Sequence, residues 1–114
     1  MILFNGYYVY EPELFQERKE QQPYYFIKAI TFNSKNKFSF ASKYSKNLKD
    51  IFFKKSEFKF ENQNNSEYLF TDKEICLHQD IGEAWEGKFY YDKISDEKFV
   101  SRQTGKMIKF ISWE

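Results

Sequence analysis

The chain is 114 residues long, 41% hydrophobic and 31% charged, with a formal net charge of +1. A single domain of this size can bury a core without disulfides or metal, and its regular aromatic spacing argues against the disorder that a mean hydropathy of -0.78 would otherwise signal. Cys76 is the sole cysteine and His78 the sole histidine, which excludes an internal disulfide and a histidine-cluster metal site.

Phe, Tyr and Trp make up 22% of the chain. They recur at every second position in Phe38-x-Phe40, Phe58-x-Phe60 and Tyr68-x-Phe70, the period of strands with one buried face. In chain order, residues 3–10 are the first expected strand, with Asn5-Gly6 able to kink or bulge it and Glu11-Pro12 ending it. Residues 14–22 are polar and closed by Pro23, and read as a mobile loop. Residues 24–32 carry the longest strand signal, 33–36 supply turn chemistry, and 37–43 return as the second arm of a hairpin with Phe38, Phe40 and Ser42 facing inward. Leu48, Ile51 and Phe52 sit at helical spacing, so a short helix or turn is expected over 48–54.

Residues 57–61, 67–71 and 74–78 read as three short strands, the first two joined by a turn at 63–66. Strands at 84–92, 98–103 and 106–113 follow. The links are too short for crossover helices, so the expected fold is all-β: one domain, 1–114, in which an antiparallel up-and-down meander closes into a barrel of about eight strands.

Charge is uneven along the chain. Residues 33–60 hold eight lysines against Asp50 and Glu57, whereas residues 61–98 hold ten carboxylates against four lysines. The pattern fits solvated outer strand faces, or a basic face opposite an acidic one. Arginine occurs only at Arg18 and Arg102, and no recognition helix or zinc-finger spacing accompanies the lysines, so no nucleic-acid partner is expected. The N-terminal apolar stretch lacks a basic region and breaks at Asn5-Gly6, too short for a signal peptide or a membrane span. With one cysteine, a reducing cytoplasm is the simpler setting.

The run Asn5-Gly6-Tyr7-Tyr8, then Ile30-x-Phe32 through Lys35-Asn36 to Phe38, then Trp85-x-Gly87 and a closing Ile108-x-Phe110, resembles small bacterial lipocalin-like proteins of the calycin type. The likeness spans nearly the whole chain and rests on strand spacing and a few aromatic and glycine positions, without the Gly-x-Trp signature of secreted lipocalins. It implies a compact barrel whose interior takes an apolar molecule, and no particular ligand.

Catalytic signals are absent from the spacing. Cys76 and His78 share one strand face, but Ile75 and Leu77 look like the core-facing set, which turns the pair outward. Carboxylate pairs such as Glu83 with Glu86 and Asp96 with Glu97 have nothing to set their environments apart, and the four glycines form no phosphate-cradling loop. No catalytic residue, metal or cofactor is expected. Lys28 is the unusual residue, interrupting the face of Tyr24, Phe26, Ile30 and Phe32. An inward ammonium needs a partner, which a ligand carboxylate would supply; otherwise Tyr25, Ile27, Ala29 and Thr31 face in, or Lys28 reaches an open end. Trp85, Gly87, Phe89 and Tyr91 share a face on which Gly87 leaves room for a ligand, or for Phe60 or Phe110.

The expected function is non-enzymatic binding of a small apolar or amphipathic molecule among Phe26, Lys28, Ile30, Phe38, Phe40, Phe58, Phe60, Trp85 and Phe89. The alternative is a protein-interaction or inhibitor module with a solid core, acting through its surface, its charge split and outward tyrosines at 7–10.

Overall fold

Turn residues at short intervals convert the aromatic alternation into antiparallel strands. The computed structural model describes residues 2–16, 18–19, 22–60 and 65–113. Among them are nine strands: β1 (Gly6–Tyr10), β2 (Glu13–Phe15), β3 (Tyr24–Phe32), β4 (Phe38–Ser45), β5 (Glu67–Phe70), β6 (Glu74–Gln79), β7 (Gly87–Ser95), β8 (Lys98–Ser101) and β9 (Met107–Ser112). No helix among the described residues is long and apolar enough to cross a membrane.

Two local expectations are corrected, and a third is resolved between its alternatives. Residues 13–15 form β2 instead of the start of a loop, because Phe15 stacks on Tyr24 with ring centroids 5.9 Å apart and Leu14 pairs with Tyr25. Of the helix or turn expected over 48–54, the turn forms: the Asn47 side chain accepts the Lys49 N–H at 3.0 Å, and Asp50 N–H closes onto the Asn47 carbonyl at 3.1 Å, which competes with helix formation. The strand expected at 57–61 is replaced by a 3-10 turn at Lys55–Glu57 and an unpaired stretch in which Lys59 N–H bonds the Ser39 hydroxyl at 2.9 Å. Glu61 and the turn residues Gln63 and Asn64 lie outside the described residues.

All strands belong to one antiparallel sheet. β1 and β2 lie on the same side of β3, with Tyr8 opposite Ile30 and Glu13 opposite Phe26, and β4 pairs on the other side of β3. Pro12 separates the two short strands, as a residue with no N–H to give a ladder must. From β1 the order continues through β9, β8, β7 and β6 to β5. The first strand and the last are thus neighbours, in register from Gly6 opposite Ser112 to Tyr10 opposite Ile108. Gly6 is required there: a Cβ would stand 2.1 Å from the Ile111 carbonyl oxygen and 2.6 Å from the Phe110 ring.

One cluster collects inward side chains from almost every strand: Tyr8, Ile30, Phe32, Phe38, Tyr68, Ile75, Leu77, Tyr91, Phe99 and Ile108. A sheet of this order can do so only by curling. Its two ends meet where Tyr68 of β5 packs edge-on against Phe32 at 4.8 Å, donates its N–H to the Asn36 carbonyl at 3.1 Å, and donates its hydroxyl to the Asn33 carbonyl at 2.7 Å. No ladder joins β4 to β5 among the described residues, so the sheet is curled and is not closed by hydrogen bonding there.

A second cluster lies on the outer face of β1, β3 and β4, where Tyr7, Val9, Ile27, Ala29 and Ala41 are covered by Phe53 and Phe58. The Tyr7 hydroxyl donates to the Ile51 carbonyl at 3.3 Å and accepts the Phe53 N–H at 3.0 Å, tying the covering segment down. Both faces of β4 are therefore buried near its start: Ser39 is as hidden as Phe38, which amends the one-faced reading of that strand. Tyr7 and Tyr8 are likewise buried and offer no outward surface. Phe58→Ala removes a ring touching Tyr7, Phe53 and Trp113. We expect it to lower unfolding free energy by about 3 to 5 kcal/mol, measured by urea denaturation.

Candidate functional site

The alternation of β3 places Tyr24, Phe26, Lys28, Ile30 and Phe32 on the curled inner face. Ile30 and Phe32 are fully enclosed by the core, but the packing does not fill the other end of the strand. A cavity of about 500 Å³ opens there, walled by Tyr10, Phe26, Lys28, Phe89 and Tyr91 and edged by Glu11, Glu13, Ser101, Gln103, Thr104 and Lys106. The volume lies within the ordinary range for small-molecule sites, and so does the mixture of aromatic walls with a few polar groups.

Lys28 stands at this cavity, half-buried. Its Nζ lies 4.3 Å from the Tyr10 ring centroid and 4.9 Å from that of Phe40. Rings hold a cation by their quadrupoles but accept none of its three N–H donors as a carboxylate would. Lys28 makes no hydrogen bond or ion pair among the described residues. Burial pushes its ammonium below the usual lysine value, with the nearby Glu13 carboxylate opposing the shift. Glu13 itself sits 3.8 Å from Lys106 Nζ. Beside Lys28, the Tyr10 and Tyr91 hydroxyls share a 2.8 Å hydrogen bond, and burial holds both well into their protonated form.

The residues singled out from sequence divide. Phe26, Lys28 and Phe89 line the cavity, and Phe40 borders it through Lys28 and Tyr10. Ile30 and Phe38 lie beneath, fully buried in the core. Phe58 faces the opposite side of the sheet, in the outer cluster. Phe60 is half-buried and joins neither cluster. Trp85 precedes β7, in a turn braced by Glu83 N–H on the Asp80 carbonyl and Glu86 N–H on the Glu83 carbonyl, and is 69% exposed. The space at Gly87 is taken by the Phe89 ring, whose nearest atom lies 3.0 Å from where a Cβ would stand. Sequence reading missed Tyr10, Glu11, Glu13 and the residues after β8, which are distant along the chain. Tyr91 was legible, two positions from Phe89 on the same face.

Cys76 and His78 lie on the outer face, beside a groove shared with Leu69, Thr71, Glu74, Lys88 and Tyr90. His78 is engaged by the Glu86 carboxylate, which also accepts the Gly82 N–H, and these bonds hold Glu86 below the usual carboxylate range. The Cys76 thiol is buried opposite Tyr90 across the β6–β7 ladder, and its proximity pushes that tyrosine up. No hydrogen bond joins Cys76 to His78 among the described residues. A thiol–imidazole pair is therefore not assembled.

Comparison of the chain with protein-family models, with curated proteins and with solved structures returned no match, and no enzyme family is identified for it.

Two outcomes follow from the electrostatics. Burial raises Tyr8 from 10.0 to about 12 and holds Tyr10 and Tyr91 above their ordinary value. The folded chain then binds more protons than the unfolded one above about pH 10, so stability present below that pH is lost as pH rises through about 12. Tyrosinate absorbance and unfolding should rise together in an alkaline titration. Lys28→Met removes a partly desolvated charge that no carboxylate contacts, and is expected to raise the melting temperature by a few degrees in calorimetry.

Proposed function

We propose that the protein is a non-enzymatic, lipocalin-like binding domain whose curled sheet works as a barrel and takes a small apolar or amphipathic molecule in the cleft between β3 and β7. The observation that carries this reading is the cavity of about 500 Å³ walled by Tyr10, Phe26, Phe89 and Tyr91. Rings supply large apolar contact area at low entropic cost, while Ser101, Gln103 and Thr104 at the edge supply orienting polar groups. The reading includes a reducing, cytoplasmic setting, in keeping with the single free thiol.

Native mass spectrometry of the purified protein is expected to show an adduct lost on denaturation. A hydrophobic fluorescent probe should bind with an affinity that Phe26→Ala or Phe89→Ala weakens by about tenfold, in line with losing one buried ring contact. Leu69→Ala, on an exposed side chain far from the cleft, should leave binding unchanged. No adduct together with no probe binding would sink the proposal.

A second reading is supported by the segment over β4, where Lys46, Lys49, Lys54, Lys55 and Lys59 are exposed beside Leu48 and Phe52, which are 52% and 67% exposed. Basic side chains around protruding apolar ones suit an acidic protein partner. Association that collapses between low and high salt would favour it.

A further inference from the structure

The inner face of β3 grades from closed to open. Ile30 is fully buried, Lys28, Phe26 and Tyr24 are half-buried, and the rings they lead to, Phe15 and Tyr44, are 39% and 68% exposed. These outer rings touch in a continuous row: Phe26 to Tyr44 at 5.2 Å, Tyr44 to Tyr24 at 5.7 Å, and Tyr24 stacked on Phe15 at 5.9 Å. The cleft thus has a cation at its inner end and aromatic surface toward its mouth.

Formal charge at the cleft is balanced, with Lys28 and Lys106 against Glu11 and Glu13. Lys106 is 3.8 Å from Glu13, and Glu11 lies on the rim. Lys28 alone has no carboxylate within ion-pair distance among the described residues. A single carboxylate would satisfy its N–H donors, and with Glu11 and Glu13 already on the rim the site favours one negative charge over two. A dianion would meet Glu11 and Glu13, and an amine would meet Lys28 itself.

We infer that the cleft takes its ligand head first: a monocarboxylate against the Lys28 ammonium, with an apolar body running out past Phe26 toward Tyr24 and Phe15. The inference rests on the binding reading above and specifies the ligand class and its direction. Cation–π contact with Tyr10 and Phe40 keeps the ammonium in place without occupying its donors, which leaves them for the carboxylate oxygens.

Calorimetric titration of the full chain with laurate, dodecanol, dodecylamine and dodecyl phosphate separates the possibilities, since all four share one tail. Laurate is expected to bind at least about tenfold more tightly than dodecanol, as a charge-assisted hydrogen bond exceeds a neutral one. Lys28→Gln should erase that advantage, and Lys28→Arg should keep it. Lys28→Met serves in the same role where Lys28→Gln proves unstable by circular dichroism. In isotope-filtered NMR, the laurate methyl should show contacts to Tyr24 and Phe15 rings, and its α-methylene to Tyr10 and Phe40.

Equal binding of laurate and dodecanol, a laurate preference that survives Lys28→Gln, or tighter binding of dodecyl phosphate overturns the headgroup assignment while leaving the cleft reading intact. Contacts from the laurate methyl to Tyr10 and Phe40 overturn the direction. Binding of none of the four removes both the inference and the reading it rests on.

Discussion

The pairing of β1 with β9 is the constraint on which the rest of the molecule depends. It joins the two ends of the meander, and Tyr8 sits at its centre, fully buried, with edge-on contacts to Phe32, Phe99 and Phe110 at 5.8, 5.5 and 5.3 Å. The Tyr8 hydroxyl donates to the Asp96 carbonyl at 2.7 Å, linking β1 to the turn before β8. Once these strands are adjacent, the remaining strands fan out to either side and the right-handed twist carries their free ends toward each other. The opposite end of the sheet is sealed by side chains more than by backbone, through Tyr68 and the ion pair of Lys37 with Glu67 at 3.8 Å.

The cleft follows from the same curl. Aromatic rings fill the end of the interior near Tyr8 and Phe32, where all eight-odd inward faces converge. At the Phe26 end, β2 replaces β1 as the neighbour of β3 and contributes exposed side chains, so the wall thins and the interior opens. A lysine at that boundary costs desolvation in the empty protein and supplies attraction when an anion is present. Such a tension between stability and binding is common at sites where a polar group is held among apolar ones.

The segment 46–60 gives the molecule its second layer. It leaves β4, crosses the outer face of β3 and β1, and buries Phe53 and Phe58 there while its lysines remain in water. Lys43 anchors its start, with Nζ 2.9 Å from Asp50 and 4.4 Å from the Phe53 ring centroid. The basic bias of this stretch is thus the solvated side of a covering layer, and the carboxylates described over 65–98 lie on β5, β6 and β7 and, for the larger part, in the turns that flank them. The two signs meet at Lys37 and Glu67.

Alternation and turn chemistry determined most strands from sequence alone. Residues 24–32 formed β3, and Ile75 and Leu77 turned inward while Cys76 and His78 turned out, because strand periodicity is a local property of the backbone. The same alternation at Phe58 and Phe60 misled, since a ring buried by a covering segment has the spacing of a ring buried by a ladder. The polar run after Pro12 hid β2, whose existence rests on rings of β3 across the sheet. Of the site, Phe26, Lys28, Phe89 and Tyr91 were legible as members of two aromatic faces. That those faces meet around a cavity, that Tyr10, Glu13 and Lys106 complete it, that Phe58 and Trp85 stand away from it, and that Lys28 faces the interior unpaired were decided only by the tertiary structure. Side-chain direction is written in local sequence, but which inward faces share a space depends on how strands far apart in the chain pair and curl.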